Sequence, residues 1–207
     1  MRKVVYSLMA LAAATVSLPA TAATVLPSLA TASSAYPGFD ASYAIDTGVN
    51  AANTDWASNG GGAGSFLELT LPGVSTLSAV DVTDRVTSGG GNGAFYGGLY
   101  DFTTSFTIQA FTNASFTTAS SSLYSFTKLA PSSTTSPSDF LFVGSLPDIS
   151  AQYVKYTVVA ANGVNPGVSN IEFTSVPEPA TWALMLAGFG LIGFGMRQRQ
   201  TRIRFAV

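Results

Sequence analysis

Ala79-Val80-Asp81-Val82-Thr83-Asp84-Arg85-Val86 is the stretch that decides the fold. Val80, Val82 and Val86 face one way while Asp81, Thr83 and Arg85 face the other, the period of a half-buried strand. The same alternation precedes it, where Leu67, Leu69 and Leu71 stand against Phe66, Glu68 and Thr70. Further strands are predicted at Phe102 to Phe111, Asp139 to Val143, Tyr153 to Val159 and Asn170 to Ser175. Between the two ends of the chain no long stretch has helical period. Glycine-rich runs at Gly60 to Gly64 and Gly89 to Gly98, and the Ser/Thr/Pro run from Pro131 to Ser138, read as loops. The expectation is an all-β chain in which two sheets close over their apolar faces as a sandwich.

The 207 residues allow one domain of ordinary size plus processing segments. The chain has no cysteine and no histidine, which excludes disulfides and thiolate metal sites and removes the commonest general base and zinc ligand. Positive charge is concentrated at the ends, in Arg2 and Lys3 and in Arg197, Arg199, Arg202 and Arg204. Between Ala23 and Val176 only Arg85, Lys128 and Lys155 stand against ten acidic residues, so nucleic acid is not an expected partner.

The two ends read as addresses. Met1-Arg2-Lys3, the apolar run Val4 to Leu18 and the small-residue pattern Pro19-Ala20-Thr21-Ala22 form a secretory signal peptide over 1–22, with cleavage expected after Ala22. The run is shorter than the roughly 20 apolar residues that a membrane span needs. At the other end Val176-Pro177-Glu178-Pro179-Ala180-Thr181-Trp182-Ala183 leads into the apolar stretch Leu184 to Met196 and then a basic tail. Pro177 and Pro179 keep their segment extended and accessible. Ala180 to Met196 is just long enough to span as a transmembrane helix, and the arginines hold the tail on the cytoplasmic side.

Pro177-Glu178-Pro179, Trp182-Ala183, the glycine-rich span and the basic end resemble the PEP-CTERM sorting signal, in the PEPxxWA form, of Gram-negative bacteria that make exopolysaccharide. The resemblance covers 176–204. It implies Sec-dependent export, recognition by an exosortase at Pro177, Glu178, Pro179 and Trp182, transient anchoring in the membrane, and a destination at the cell surface or in the extracellular matrix. A plain tail anchor, or a helix-packing face built on Gly188, Gly190, Gly193 and Gly195, is the alternative for the same residues.

Within the β-sandwich domain expected over 23–175, roughly Ala32 to Ser175 resembles a discoidin, or coagulation-factor type C, domain of the galactose-binding-like superfamily. The blocks that carry the resemblance begin with Ala32-Ser33-Ser34, Ala44-Ile45-Asp46 and Asn53-Thr54-Asp55-Trp56-Ala57-Ser58, and continue with Phe66 to Leu71 and Val80 to Arg85. Phe106 to Gln109, Ala151 to Tyr156 and Ile171-Glu172-Phe173 complete them. The resemblance implies an eight-stranded jelly roll with ligand bound by loops at one end. The first loop departs from the pattern, having Asp46-Thr47-Gly48 and extra residues before Thr54, and the glycine-rich insertion before Phe102 is long.

Asp46, Asn50, Asn53 and Thr54 supply hard oxygens within one loop, and Glu172 returns beside them if the first and last strands meet there. Calcium needs such a set, and in carbohydrate-binding relatives this loop and a late glutamate bind structural calcium. The alternative is an Asx-turn network without metal. Trp56 is expected in the core beneath the loop. Arg85 either pairs with Asp84 or Asp81 or donates to a ligand. Tyr36, Phe39, Phe95, Tyr96 and Tyr100 either stack on sugar rings or pack their own loops. Ser125-Phe126-Thr127-Lys128 has the spacing of serine acyl enzymes, but that chemistry needs one helical turn and this stretch reads as strand or loop. The expectation is therefore a surface module without catalytic activity that binds polysaccharide. A matrix protein without a specific ligand is the rival, and a hydrolase the third reading.

Overall fold

The computed structural model describes residues 22–46, 55–85, 101–128, 141–176, 188–190 and 193. The chain divides into two units, Ala22–Val176 and a second comprising Met1–Thr21 with Pro177–Val207. The signal peptide and the sorting residues Pro177, Glu178, Pro179 and Trp182 lie outside the described residues. In the second unit only Gly188, Phe189, Gly190 and Gly193 are described, and they are helical. Among the described residues no helix is long and apolar enough to cross a membrane.

Among the described residues the first unit is an antiparallel β sandwich of eight strands. They are β1 (Ala23–Val25), β2 (Leu29–Ala32), β3 (Trp56–Ala57), β4 (Phe66–Asp84), β5 (Phe102–Phe111), β6 (Tyr124–Thr127), β7 (Leu141–Asn162) and β8 (Gly167–Ser175), with a short 3-10 helix at Ala41–Ile45. Hydrogen bonding runs β1-β8-β4-β7-β5-β6, with β2 on β4 and β3 on β8. β4 and β7 serve both layers. Their ladder shifts register between Thr70 and Ser75, around an exposed corner where Val74 is 72% accessible. Before the corner β4 lies between β2 and β7; after it β4 lies between β7 and β8.

The alternating residues fill the space between the layers. Leu67, Leu69 and Leu71 come from the first half of β4 and Leu77, Val80 and Val82 from the second. They meet Phe106 and Ile108 of β5, Val154, Tyr156 and Val158 of β7, and Ile171 and Phe173 of β8. Phe106 packs against Tyr156, Phe126 and Phe142 with ring centroids 5.0–5.2 Å apart, a cluster that contributes beyond its buried area.

Phe66–Leu71 and the described part of the piece expected at Ala79–Val86, as far as Asp84, belong to one element, because pairing with β7 resumes at Ser75 after the corner that contains Pro72 and Gly73. Of the pieces expected at Asp139–Val143 and Tyr153–Val159, the described residues, from Leu141 on, likewise belong to β7, and Asp139 and Phe140 lie outside the described residues. Alternation puts Asp84 on the side of the inward valines, and it is 2% accessible; Thr83, expected to face outward, is buried as well at 7%, beside a register shift between Thr83 and Asp84 against β8. Ser125–Thr127 is strand and Lys128 follows it, with Ser125 exposed and Lys128 turned in toward Asp84, so no serine–lysine pair forms.

Candidate functional site

The loop pole of the sandwich is where β4 ends, β5 begins, β7 ends and β8 begins. At the opposite pole Ala23 pairs with Ser175, and Val176 N–H donates to Thr76 O over 2.8 Å. β8 separates the two poles by roughly 25 Å, at about 3.3 Å per residue.

Arg85 organises the loop pole. Its Nε donates to Asp55 Oδ2 at 2.8 Å and its Nη1 to Asn165 O at 3.1 Å, with Asp101 Oδ2 3.8 Å away. Its guanidinium carbon stands 4.8 Å from the centre of the Phe39 ring. These partners correct the expected pairing with Asp84 or Asp81: the chain brings Asp55 in from thirty residues upstream, and Asp84 turns away into the core. Asp101 Oδ1 accepts Asn165 N–H at 3.0 Å, and Asn165 Oδ1 accepts Gly60 N–H at 2.8 Å. One arginine thus ties together the segments of Phe39, Asp55, Asp101 and Asn165. Burial raises the Asp55 carboxyl above its ordinary range, opposed by Arg85.

Beneath this lies a second charged group. Asp84 Oδ2 accepts Lys128 Nζ and Thr103 N–H, each at 3.0 Å, and Oδ1 accepts Arg85 N–H at 2.9 Å. The pair is almost sealed, with side chains 7% and 3% accessible for Lys128 and Asp84. Burial pushes the Asp84 carboxyl up to about 6, with Lys128 opposing. Tyr156 donates to Thr103 Oγ1 at 3.3 Å, and burial followed by the Asp84 charge raises its phenol.

Trp56 is fully buried, as expected, and its Nε1 donates to Ser34 O at 2.9 Å. A Cβ on Gly167 would collide with the Trp56 carbonyl oxygen, so glycine is what lets β3 lie against β8 here. Ala57 O accepts Tyr36 N–H and Ala57 N–H donates to Phe39 O, which holds the Ser34–Phe39 loop against β3. Of the aromatics considered for sugar stacking, Tyr36 is 44% accessible and meets Phe39 edge to face at 5.9 Å. Phe39 is half-buried and carries Arg85. Phe95, Tyr96 and Tyr100 lie outside the described residues.

Of the calcium set, Asp46 closes the 3-10 helix at its C-terminal end and is exposed. Asn50, Asn53 and Thr54 lie outside the described residues. Glu172 is half-buried on β8, directly opposite Asp81. Sequence reading did not single out Asn170, which is 7% accessible and whose Oδ1 is buried without a hydrogen-bond partner. Among the described residues no three His, Cys, Asp or Glu side chains gather as a metal cluster.

With this geometry in view, the relatives are informative. The family 32 carbohydrate-binding module of C. perfringens NanJ, solved in complex with galactose, superposes with a TM-score of 0.55 at 21% identity, covering 73% of this chain and 98% of that one. A Streptococcus pneumoniae fucose binding module gives 0.52 at 15% identity, covering 71% and 90%. The lectin domain of lectinolysin, complexed with Lewis B antigen, gives 0.51 at 17% identity, covering 70% and 90%. Ala22–Val176 therefore has the jelly-roll fold of family 32 and discoidin-like galactose-binding domains. Residues 175–200 match the PEP-CTERM protein-sorting motif, which marks an exported protein with a C-terminal sorting region. No curated protein matches the chain in sequence.

Proposed function

We propose that the chain is an exported, exosortase-processed surface or matrix protein whose sandwich binds polysaccharide at its loop pole without catalysing a reaction. The observation that carries this is the pole itself, where Arg85 locks the segments of Phe39, Asp55, Asp101 and Asn165 and leaves the Tyr36 ring exposed beside Phe39. A fixed, accessible aromatic face suits the apolar CH face of a sugar, and prior ordering lowers the entropy lost on binding. Arg85, saturated by its own partners, acts by positioning. The galactose, fucose and Lewis B ligands of proteins sharing the fold support a carbohydrate ligand, although fold alone does not choose one.

Both ends of the domain leave from the pole opposite Arg85. A membrane tether after Val176 therefore attaches where the ligand loops are not. Calcium, where bound, would be held by Asp46, Asn50, Asn53, Thr54 and Glu172 and would rigidify the first loop. A glycan array with the purified protein tests the binding reading: selective retention of a sugar class supports it, and silence favours the matrix protein without a specific ligand.

The sorting reading has its own test. Replacing Pro177, Glu178 and Pro179 together by alanine should leave an unprocessed, membrane-associated precursor, seen on a gel as near-complete loss of the shorter mature form. Processing at the unaltered rate would refute it.

A further inference from the structure

The sandwich keeps most of its sheet edges short. Among the described residues the strands paired on one side only are β1, β2, β3 and β6, of three, four, two and four residues. Shortness is a usual defence against pairing with another chain. The first part of β7 lacks it. From Leu141 to Ser145 this strand pairs with Thr83 to Ala79 of β4, and β5 reaches β7 only at Tyr153. Among the described residues its other side therefore carries no strand, and the main-chain N–H and C=O groups there form an open template. Leu141 and Val143 point outward and are 49% and 63% accessible. No charged residue occurs from Leu141 to Leu146, and the proline that blunts the edge arrives only at Pro147.

We propose that this edge pairs with the same edge of a second copy of the chain, antiparallel and two-fold symmetric about Val143, so that one sheet runs β8-β4-β7-β7-β4-β8 through both copies. Two observations favour a second copy over an unrelated strand. The stretch is uncharged, so it meets itself without repulsion. Read about Val143 it is also self-complementary in size, with Phe142 opposite the Gly144 of the copy and Leu141 opposite its Ser145, as a two-fold contact requires. Leu141 and Val143 of both copies then lie on one outer face and cover each other. So short a ladder buries less than a standard interface, which makes the association weak, about micromolar to submillimolar, and confines it to places where the protein is concentrated. The pairing also has a direction. β7 starts beside Thr83 at the loop pole and runs toward the opposite pole, where the chain leaves the domain. An antiparallel pair therefore sends its two exits in opposite directions, which suits copies on facing surfaces or released from the membrane rather than neighbours tethered side by side. The proposal is independent of the sugar ligand.

The chain has no cysteine, so a single introduced one reports the contact. In the full-length protein in detergent, Val143→Cys should give a covalent dimer under mild oxidation with copper phenanthroline, because directly opposed residues have Cβ atoms about 4.5–5.5 Å apart, within reach of a disulfide. Val74→Cys, at a position 72% accessible on the far corner of β4, should stay monomeric. In sedimentation equilibrium the wild type should dimerise in the micromolar to submillimolar range. Val143→Lys sets two ammonium groups face to face; it should weaken that dimer at least about tenfold while melting within about 1 °C of wild type. A wild type that stays monomeric up to about 1 mM overturns the proposal. So does a Val74→Cys that cross-links as readily as Val143→Cys. Self-association that Val143→Lys leaves unweakened runs through the sorting segment or another face, and it too overturns the edge contact. Should Val143→Lys fail to fold, Ser145→Lys takes its place, with the same loss of dimer expected and the same outcome overturning the proposal.

Discussion

Lys128→Met should destabilise the sandwich by about 3–5 kcal/mol, the usual cost of removing one partner of a buried ion pair. For a domain of this size that is a fall of roughly 10 °C in melting midpoint. The reason is what remains: Asp84 stays 2% accessible, keeps the Thr103 and Arg85 N–H donors, and loses its countercharge. The deficit should depend on pH with a definite sign. In the wild type burial already holds the Asp84 carboxyl at about 6, above its ordinary 3.8. The folded protein therefore takes up a proton before the unfolded chain does, and the penalty for burying the charge is present above 6 and relieved as pH falls toward 3.8. Removing Lys128 removes an influence that lowers this carboxyl, so in the variant it protonates at still higher pH. The gap between variant and wild type should thus be widest near pH 8 and narrow by pH 5, read from paired denaturant melts. A gap that is small at every pH would mean that the ammonium is solvated and the pair contributes little.

Trp56→Ala should be comparably severe, about 3–5 kcal/mol, because it empties a fully buried site as large as an indole. Its consequences extend beyond the core. The Nε1 donor to Ser34 O disappears, and Ser34 begins the loop that carries Tyr36 and Phe39. Loosening that loop takes the Phe39 face from Arg85 and the exposed ring from Tyr36 together. Sugar affinity should therefore fall in this variant even at temperatures where it remains folded. Trp56→Phe fills much of the volume without the donor and should lose less stability, which separates packing from the hydrogen bond. Equal stability of Trp56→Ala and wild type would contradict the burial.

The layers of the sandwich were legible because their residues alternate: Leu67, Leu69, Leu71, Val80 and Val82 are all core, and each was assigned inward from period alone. The corner in β4 was hidden because Pro72-Gly73 reads locally as a strand end, whereas continuity is decided by pairing with β7 some eighty residues later. β1 is three residues long and acquires meaning only from its ladder with Phe173–Ser175. The site was less legible for the same reason. Arg85 was singled out, but nothing near it in the sequence designates Asp55 or Asp101, since both arrive through tertiary folding. Lys128 was read as part of a chance motif, and its value lies in Asp84, forty-four residues away. Asn170 carries a signal only once the register places it opposite Thr83, with its Oδ1 buried and without a partner.

The account stands most directly on whether the Arg85-locked pole holds sugar. The decisive measurement is the affinity of purified wild type and Tyr36→Ala for the best glycan on an array, each protein checked by thermal melt. An exposed aromatic contributes to binding far more than to folding, so Tyr36→Ala should melt within about 1 °C of wild type. Its affinity should fall at least about tenfold, the loss of roughly 1.4 kcal/mol. Unchanged affinity in Tyr36→Ala, or a wild type that binds no glycan, would contradict the assignment of this pole as a carbohydrate site.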